Sequence, residues 1–317
     1  MIRGMMSKDV PQVFGLGQCS LDYIGKIDDY PPPDVKCELF ETVIQGGGPA
    51  ATAMVALTRW GFSCYIAGVI GDDLFGRLIE TSLREEGINT AGLVIRKGAA
   101  SQFAFIAAEP VPGRRTIFWQ RPTGQEIQPD EIDLTMLQQA RVLHTDGLCM
   151  EAALFAASKA RQLGVPVVVD AGTLREGMLD LARLSDCFIA SEPFAHALTG
   201  DNDPLRACQI LSDLCPRVVG VTLGEAGYVA MAGGKFIEKQ AYPVKAVDTT
   251  GCGDVFHAGF VYGLISGWDA EKSLDLGAWA AAQVSLQLGG RSGIPTIETL
   301  RKFFYLRMMF ERKDVIY

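Results

Sequence analysis

"VDTTGCGDVFHAGF", Val247 to Phe260, brackets a cysteine with two glycines, adds an aspartate at once and then runs on almost wholly apolar. Gly251, Cys252 and Gly253 lack bulk, so their N–H groups can converge on one point where a helix begins. Such a nest, added to the helix dipole, holds phosphate-like charge. Asp254 stands beside that point, where an acid is costly once an anion is bound. The juxtaposition makes sense if the carboxylate takes a proton from a hydroxyl as it attacks a phosphoryl group. The next residues, "VFHAGFVYGLI", are apolar on nearly every helical face, which predicts that the helix start is anchored in a core. The plainer reading is a glycine turn with Asp254 as a dipole-facing acid.

Outward from that helix the order of elements is regular. "RVLHTD" (141–146), "VPVVVD" (165–170), "DCFIA" (186–190), "RVVGVTLG" (217–224) and "GYVAMAG" (227–233) read as strands. Helices fall at "EAALFAASKARQLG" (151–164), near 192–214, and near 254–266, 271–288 and 297–311. Towards the N-terminus come the strand "VFGLG" (13–17), the helix "AATAMVALTRWG" (50–61), the strand "CYIAGVI" (64–70) and the amphipathic helix "DDLFGRLIETSLREEG" (72–87). Alternating strand and helix predicts an α/β fold with a mainly parallel sheet covered on both faces. Two pieces break the rhythm. Residues 23–43 are polar and contain "PPP" at 31–33, while "SQFAFIAAE" and "RRTIFWQRP" read as a hairpin joined by "PVPGR" (110–114). Segments 18–45 and 99–121 are therefore expected to form a small β lid, inserted in one domain spanning residues 1–317.

Composition narrows the function classes. No apolar run reaches membrane-spanning length, and the N-terminus lacks a secretory profile, so a soluble, membrane-free protein is expected. Eight scattered cysteines without a C-x-x-C pair fit a reducing, cytoplasmic compartment. A formal charge of −8 argues against nucleic acid as a partner, but leaves room for a small anionic ligand.

In an open parallel sheet, ligands bind at the carboxyl ends of the strands. The groups expected there are Asp22, Gly47 and Gly48, Asp146, Asp170, Gly224 and the opening motif. "GLGQCS" (15–20) falls short of a dinucleotide fingerprint, because Ser20 replaces the third glycine and no helix follows. A P-loop is absent, and His144, His196 and His257 lack zinc-ligand spacing.

With these residues in view, the chain resembles the PfkB family of carbohydrate kinases, which have a ribokinase-like fold. "DTTGCGD" (248–254) matches the family signature D-T-x-G-[AC]-G-D. "GGPAATAMVALTRWG" (47–61), "IGDDLFG" (70–76), "VTLGEAG" (221–227) and "GGRSGIP" (289–295) are similar to other family segments and fall in family order. The resemblance implies an ATP-dependent sugar kinase with Asp254 as base and Gly251, Cys252 and Gly253 as the anion hole. It implies Asp22, at the end of the first strand, as the acid that fixes sugar hydroxyls, with Gly47, Gly48 and Thr52 beside the substrate. Ser191, Thr222, Gly224, Gly227 and Gln283 fall on the nucleotide side. Glu192 is placed to meet Mg²⁺ through water, and Asp248 and Thr250 stand where some relatives hold a monovalent cation such as K⁺. Lids of this kind often pair across a homodimer.

The chain departs from the family pattern at two places. Thr52 stands where Asn is usual, and the usual N-x-x-E segment appears as "SEPFAHALTG" (191–200), with Ser191 and Phe194 in the key positions. Relatives with "GGGPAATA" and "SEP…LTG" include the sulfofructose kinases, the branch nearest in motif. Arg114, Arg115 and Arg121 in the lid could meet an anionic sugar substituent, or form a solvated basic hairpin. Cys252 replaces a common alanine, and a thiol at a helix start is expected to have a lowered pKa and to oxidise readily. Two other readings stay open: a nucleoside or vitamin kinase of the same fold, and a regulatory protein with a decayed site.

Overall fold

In β1 (Val13–Leu16), β9 (Val167–Ala171) and β10 (Cys187–Ser191), successive side chains alternate between two apolar cores rather than between core and water. Val13, Val168 and Ile189 enter one core, and Phe14, Val167, Val169 and Phe188 enter the other. Strands buried on both faces read as continuous apolar runs, as these do. The fold is that of a computed structural model, which describes residues 10–109, 114–215 and 217–311.

The larger sheet also contains β4 (Cys64–Gly71), β5 (Asn89–Arg96), β8 (Val142–Thr145), β11 (Val218–Thr222), β12 (Tyr228–Ala232) and β13 (Lys235–Lys239). Its order is β13-β12-β11-β10-β9-β8-β1-β4-β5, parallel from β11 to β5 and antiparallel at the β12–β13 edge. One core gathers α1 (Pro49–Arg59), α2 (Leu74–Glu85), α8 (Cys252–Ile265), α9 (Ala270–Val284) and the start of α10 (Ile297–Glu311). The opposite core gathers α3 (Leu134–Gln139), α4 (Met150–Leu163), α5 (Met178–Leu184), α6 (Glu192–Thr199) and α7 (Pro204–Ser212). The apolar surround of α8 follows from its position between α1, α9 and the sheet. Helices α8 and α9 cross almost backbone to backbone, since a Cβ on Gly259 would lie 2.7 Å from the Gly277 Cα.

A second sheet, in the order β3-β2-β6-β7, comprises β2 (Ser20–Lys26), β3 (Glu41–Gly47), β6 (Gln102–Glu109) and β7 (Arg114–Gln120). Its inner residues Ile24, Ala104, Ile106 and Ala108 pack on Leu288. Both strand-rich pieces contribute to it, as the lid reading requires. The turn expected at 110–113 lies outside the described residues.

The structure corrects several details. Asp22 lies inside β2, not at the end of the first strand, because the chain leaves the main sheet after Leu16 and starts a lid strand at Ser20. Four elements were not expected from the sequence. Strand β5 follows the helix-stopping Gly87 by two residues, and β13 is a charged, mostly exposed edge. Helices α3 and α5 have six and seven residues, too few to establish a helical period. Among the described residues, no helix is long and apolar enough to cross a membrane.

Candidate active site

Strand β1 lies between β8 and β4, so the chain winds away from it in both directions and leaves a crevice at the carboxyl ends. Asp146, just past the carboxyl end of β8, is buried. Its Oδ2 accepts from the Gln18 N–H at 2.8 Å and the Ala50 N–H at 3.3 Å, and its Oδ1 from the Leu148 N–H at 3.0 Å. Burial pushes this carboxyl up to about 6. One short acid thus ties together the exit from β1, the start of α1 and the loop after β8.

The triplet Gly46–Gly47–Gly48 meets a different neighbour at each position. A Cβ on Gly46 would fall 2.5 Å from Arg291 Nη1, and one on Gly47 would fall 1.9 Å from Asp22 Oδ2. Gly48 has φ +92°, and a Cβ there would lie 2.3 Å from the Gln18 carbonyl. These close approaches let the chain turn from β3 into α1 directly beside Asp22. Asp22 accepts from Ser20 Oγ at 2.8 Å. Burial raises its pKa, the Ser20 hydrogen bond and Arg291 pull it down, and the charge of Asp248 raises it again. Thr52 sits in the first turn of α1 and is 2% exposed.

At α8, Gly251 takes the N-cap position with φ 75°, pressed against Gly290. The Cys252 N–H donates to the Thr249 carbonyl at 3.3 Å. Among the described residues, the amides of Gly251 and Gly253 from the expected 251–253 set have no hydrogen-bond partner, and neither has that of Asp254. Asp248 locks the loop from behind. Its Oδ1 accepts from the Thr250 N–H and hydroxyl at 2.9 and 2.7 Å, and its Oδ2 from the Gly289 N–H at 2.8 Å.

Asp254 is half-buried, and desolvation pushes its pKa up to about 7. The negative charges of Asp170 and Asp22 push the same way, while His257 and Arg115 oppose them. Behind it, His257 Nε2 lies 3.2 Å from Asp170 Oδ1, and burial pushes His144, 6.0 Å ring to ring from His257, down to about 4. The low-pKa thiol expected at Cys252 is not found. Burial pushes it up to about 12, and Asp248 and Asp254 add to that against Arg115. Treatment with iodoacetamide at neutral pH is expected to label exposed Cys37 and leave Cys252 unmodified, as read by peptide mass spectrometry. Prompt carbamidomethylation of Cys252 would contradict the burial argument.

On the other side of the crevice, Ser191 and Thr222 end β10 and β11 as register partners. The Ser191 hydroxyl donates to the Gly172 carbonyl at 2.8 Å and accepts from the Phe194 N–H at 3.2 Å, capping α6. Gly224 and Gly227, with φ +57° and +98°, bound a short turn after β11. Gln283 is half-buried near the end of α9, and Glu192 is exposed at the start of α6. Among the described residues, no three His, Cys, Asp or Glu side chains are grouped to hold a metal ion.

The three lid arginines have three different surroundings. Arg114 pairs with Glu109 at 2.9 and 3.0 Å, and Arg121 lies 4.8 Å over the Trp119 ring. Arg115 donates to Thr249 Oγ1, so this lid strand touches the signature loop itself. The sequence offered no way to tell the three apart, nor any role for Arg291 or His257.

Comparison with known proteins shows the family and the fold. The model of the pfkB family carbohydrate kinases matches residues 11–297. The 2-dehydro-3-deoxygluconokinase of Thermoproteus tenax is 27% identical over 267 residues, covering 78% of this chain and 82% of the relative. A provisionally named ribokinase from Agrobacterium tumefaciens superposes with a TM-score of 0.85 at 27% identity, covering 95% of this chain and 99% of its own. A provisionally named ribokinase II from E. coli, solved with ATP and Mg²⁺, superposes with a TM-score of 0.79 at 20% identity, covering 93% and 99%.

Proposed function

The chain belongs to the pfkB family of carbohydrate kinases, and from that premise we propose that Asp254 is the base that activates a sugar hydroxyl for attack on the γ-phosphorus of ATP. The observation that carries this reading is a carboxyl raised to about 7 beside three open helix-start amides, within the electrostatic reach of Asp22. In the step, the sugar O–H bond breaks and its proton passes to Asp254. The freed oxygen bonds to the γ-phosphorus as the bond to the β-phosphate oxygen breaks, and ADP leaves with that electron pair. The amides of Gly251, Gly253 and Asp254 stabilise the charge on the migrating group, where fixed donors need no reorganisation.

Asp22 holds the sugar hydroxyls, with Gly47, Gly48 and Thr52 lining the same side. A carboxylate offers two acceptor oxygens, which suits a polyol. Thr222, Gly224, Gly227 and Gln283 border the nucleotide. The Ser191 hydroxyl is occupied in capping α6, so its part is to shape that side. Mg²⁺ carried with ATP would neutralise phosphate charge, and Glu192 is the nearby acid that could meet it through water. A monovalent cation at Asp248 and Thr250 would have to share carboxylate oxygens that already accept from Thr250 and Gly289. The lid face turned away from Leu288 carries exposed Ile44 and Phe118 on either side of Tyr23 and Phe105, an apolar surface that suits a second copy of the chain.

ADP release over a panel tests the assignment: D-ribose, D-fructose, sulfofructose, 2-dehydro-3-deoxy-D-gluconate and adenosine. The expected result is turnover with a sugar or sugar acid and none with adenosine. Adenosine as best acceptor would support the nucleoside kinase reading, and silence across a wider panel would support the decayed one.

A further inference from the structure

Arg291 carries a guanidinium into the seam between β3 and α2 while remaining only 4% exposed. Its Nη1 donates to Ser82 Oγ at 3.2 Å, and its carbonyl accepts from Arg59 Nη1 at 2.7 Å. Its Nε and Nη2 have no hydrogen-bond partner, and among the described residues it forms no ion pair. The acids that act on it are Asp22 and Glu86, with Cys19 and Arg59 as the other titratable neighbours. Glu86 is already engaged by Arg59 at 2.5 Å. Burial pushes Arg291 down to about 10, which leaves it charged at neutral pH. A buried, unpaired arginine costs stability, and an apolar residue would fill the same volume at less cost. Packing therefore does not explain it.

The glycine triplet gives the geometry. Gly46 points at Arg291 and Gly47 points at Asp22, and neighbouring residues of a strand face opposite sides. Arg291 and Asp22 thus flank the β3 backbone with only glycine between them. Asp22 is faced by the Ser20 hydroxyl on its own strand, by Asp248 before α8, and by Asp254, whose proton affinity its charge raises. Among these surroundings, Arg291 is the cation that acts on Asp22.

We propose that Arg291 is a positioning residue, the built-in counter-charge that keeps Asp22 ionised in a pocket crowded with carboxylates. An ionised Asp22 accepts two hydroxyl donors, whereas a protonated one gives up an acceptor. This inference rests on reading Asp22 as the acid that fixes the sugar.

The test is a ¹³C carboxyl NMR titration of aspartate-labelled protein, with Asp22 assigned by its loss in Asp22→Asn. In Arg291→Met the Asp22 midpoint is expected to rise by about one pH unit or more, and in Arg291→Lys to stay near wild type. For the best acceptor in the panel, KM in Arg291→Met is expected to approach about ten times the wild-type value on the acid side of the Asp22 midpoint and to stay near wild type well above it, with kcat much less affected, and lysine is expected to restore the wild-type profile. Arg291→Gln serves in place of methionine if that variant does not fold. An unmoved midpoint in the neutral variant overturns the proposal, as does a lysine variant shifted equally far. A shifted midpoint combined with normal sugar KM in Asp22→Asn would keep the electrostatic coupling and overturn the sugar role of Asp22.

Discussion

Asp254→Asn is expected to lower kcat about a hundred- to ten-thousand-fold while leaving ATP affinity near wild type. Asparagine keeps the size of the side chain and removes the proton acceptor, so the loss falls on the chemical step. The wild-type pH profile should agree. With the unliganded carboxyl at about 7, kcat/KM is expected to fall tenfold per unit on the acid side of neutrality, and the variant should lack that limb. Stability supplies a separate readout. The folded-state pKa lies above the unfolded value, so the contribution of Asp254 is fully present below about pH 4 and is lost as pH rises through about 7. Asp254→Asn should therefore melt higher than wild type at pH 8, with the gain vanishing towards pH 4. Comparable turnover in the variant would remove Asp254 as the base. A lower Tm at pH 8 would contradict a folded-state pKa above the unfolded value.

The layered fold was legible because its signals are local and repeated. The short runs ending at Asp146 and Asp170 alternate with longer helical patterns, which reads as strands of a parallel sheet, and the glycine signature marked the start of α8 to within two residues. The lid was legible as a break in that rhythm. The placement of Asp22 was not, since the three-residue crossing from β1 to β2 carries Gly17 alone as a turn signal, which does not show that the next strand joins another sheet. In the candidate site, small residues followed by an acid were readable as a helix start, and Gly251 is the N-cap with Asp254 in the first turn. The site was illegible where chemistry depends on neighbours distant in sequence. Whether a helix-start thiol is acidic depends on burial and on Asp248 and Asp254, which outweigh the dipole argument made for Cys252. Arg114, Arg115 and Arg121 look alike in sequence, and only the register of β7 sends Arg115 to Thr249.

Gly251→Ala is expected to lower kcat about a hundredfold and to lower Tm as well, whereas Gly253→Ala should leave Tm unchanged. The two glycines flank Cys252, yet their surroundings differ. Gly251 has φ 75°, a left-handed conformation that costs an alanine about 1 kcal/mol or more, and its Cβ would lie 2.5 Å from the Gly290 Cα. That neighbour is backbone, so no rotamer change relieves the clash. The 248–250 and 289–291 loops cannot simply part, because Asp248 holds both. The N-cap must move, taking with it the amides of the proposed anion site. At Gly253, nothing lies within 4 Å of an added Cβ, so the protein alone tolerates it. Any loss there reports crowding of the bound phosphate and should appear as a raised ATP KM. Circular dichroism melts and initial-rate kinetics on both variants separate the cases. Wild-type kcat in Gly251→Ala, with the expected drop in Tm, would mean that the helix start is structural and that the migrating charge is stabilised elsewhere.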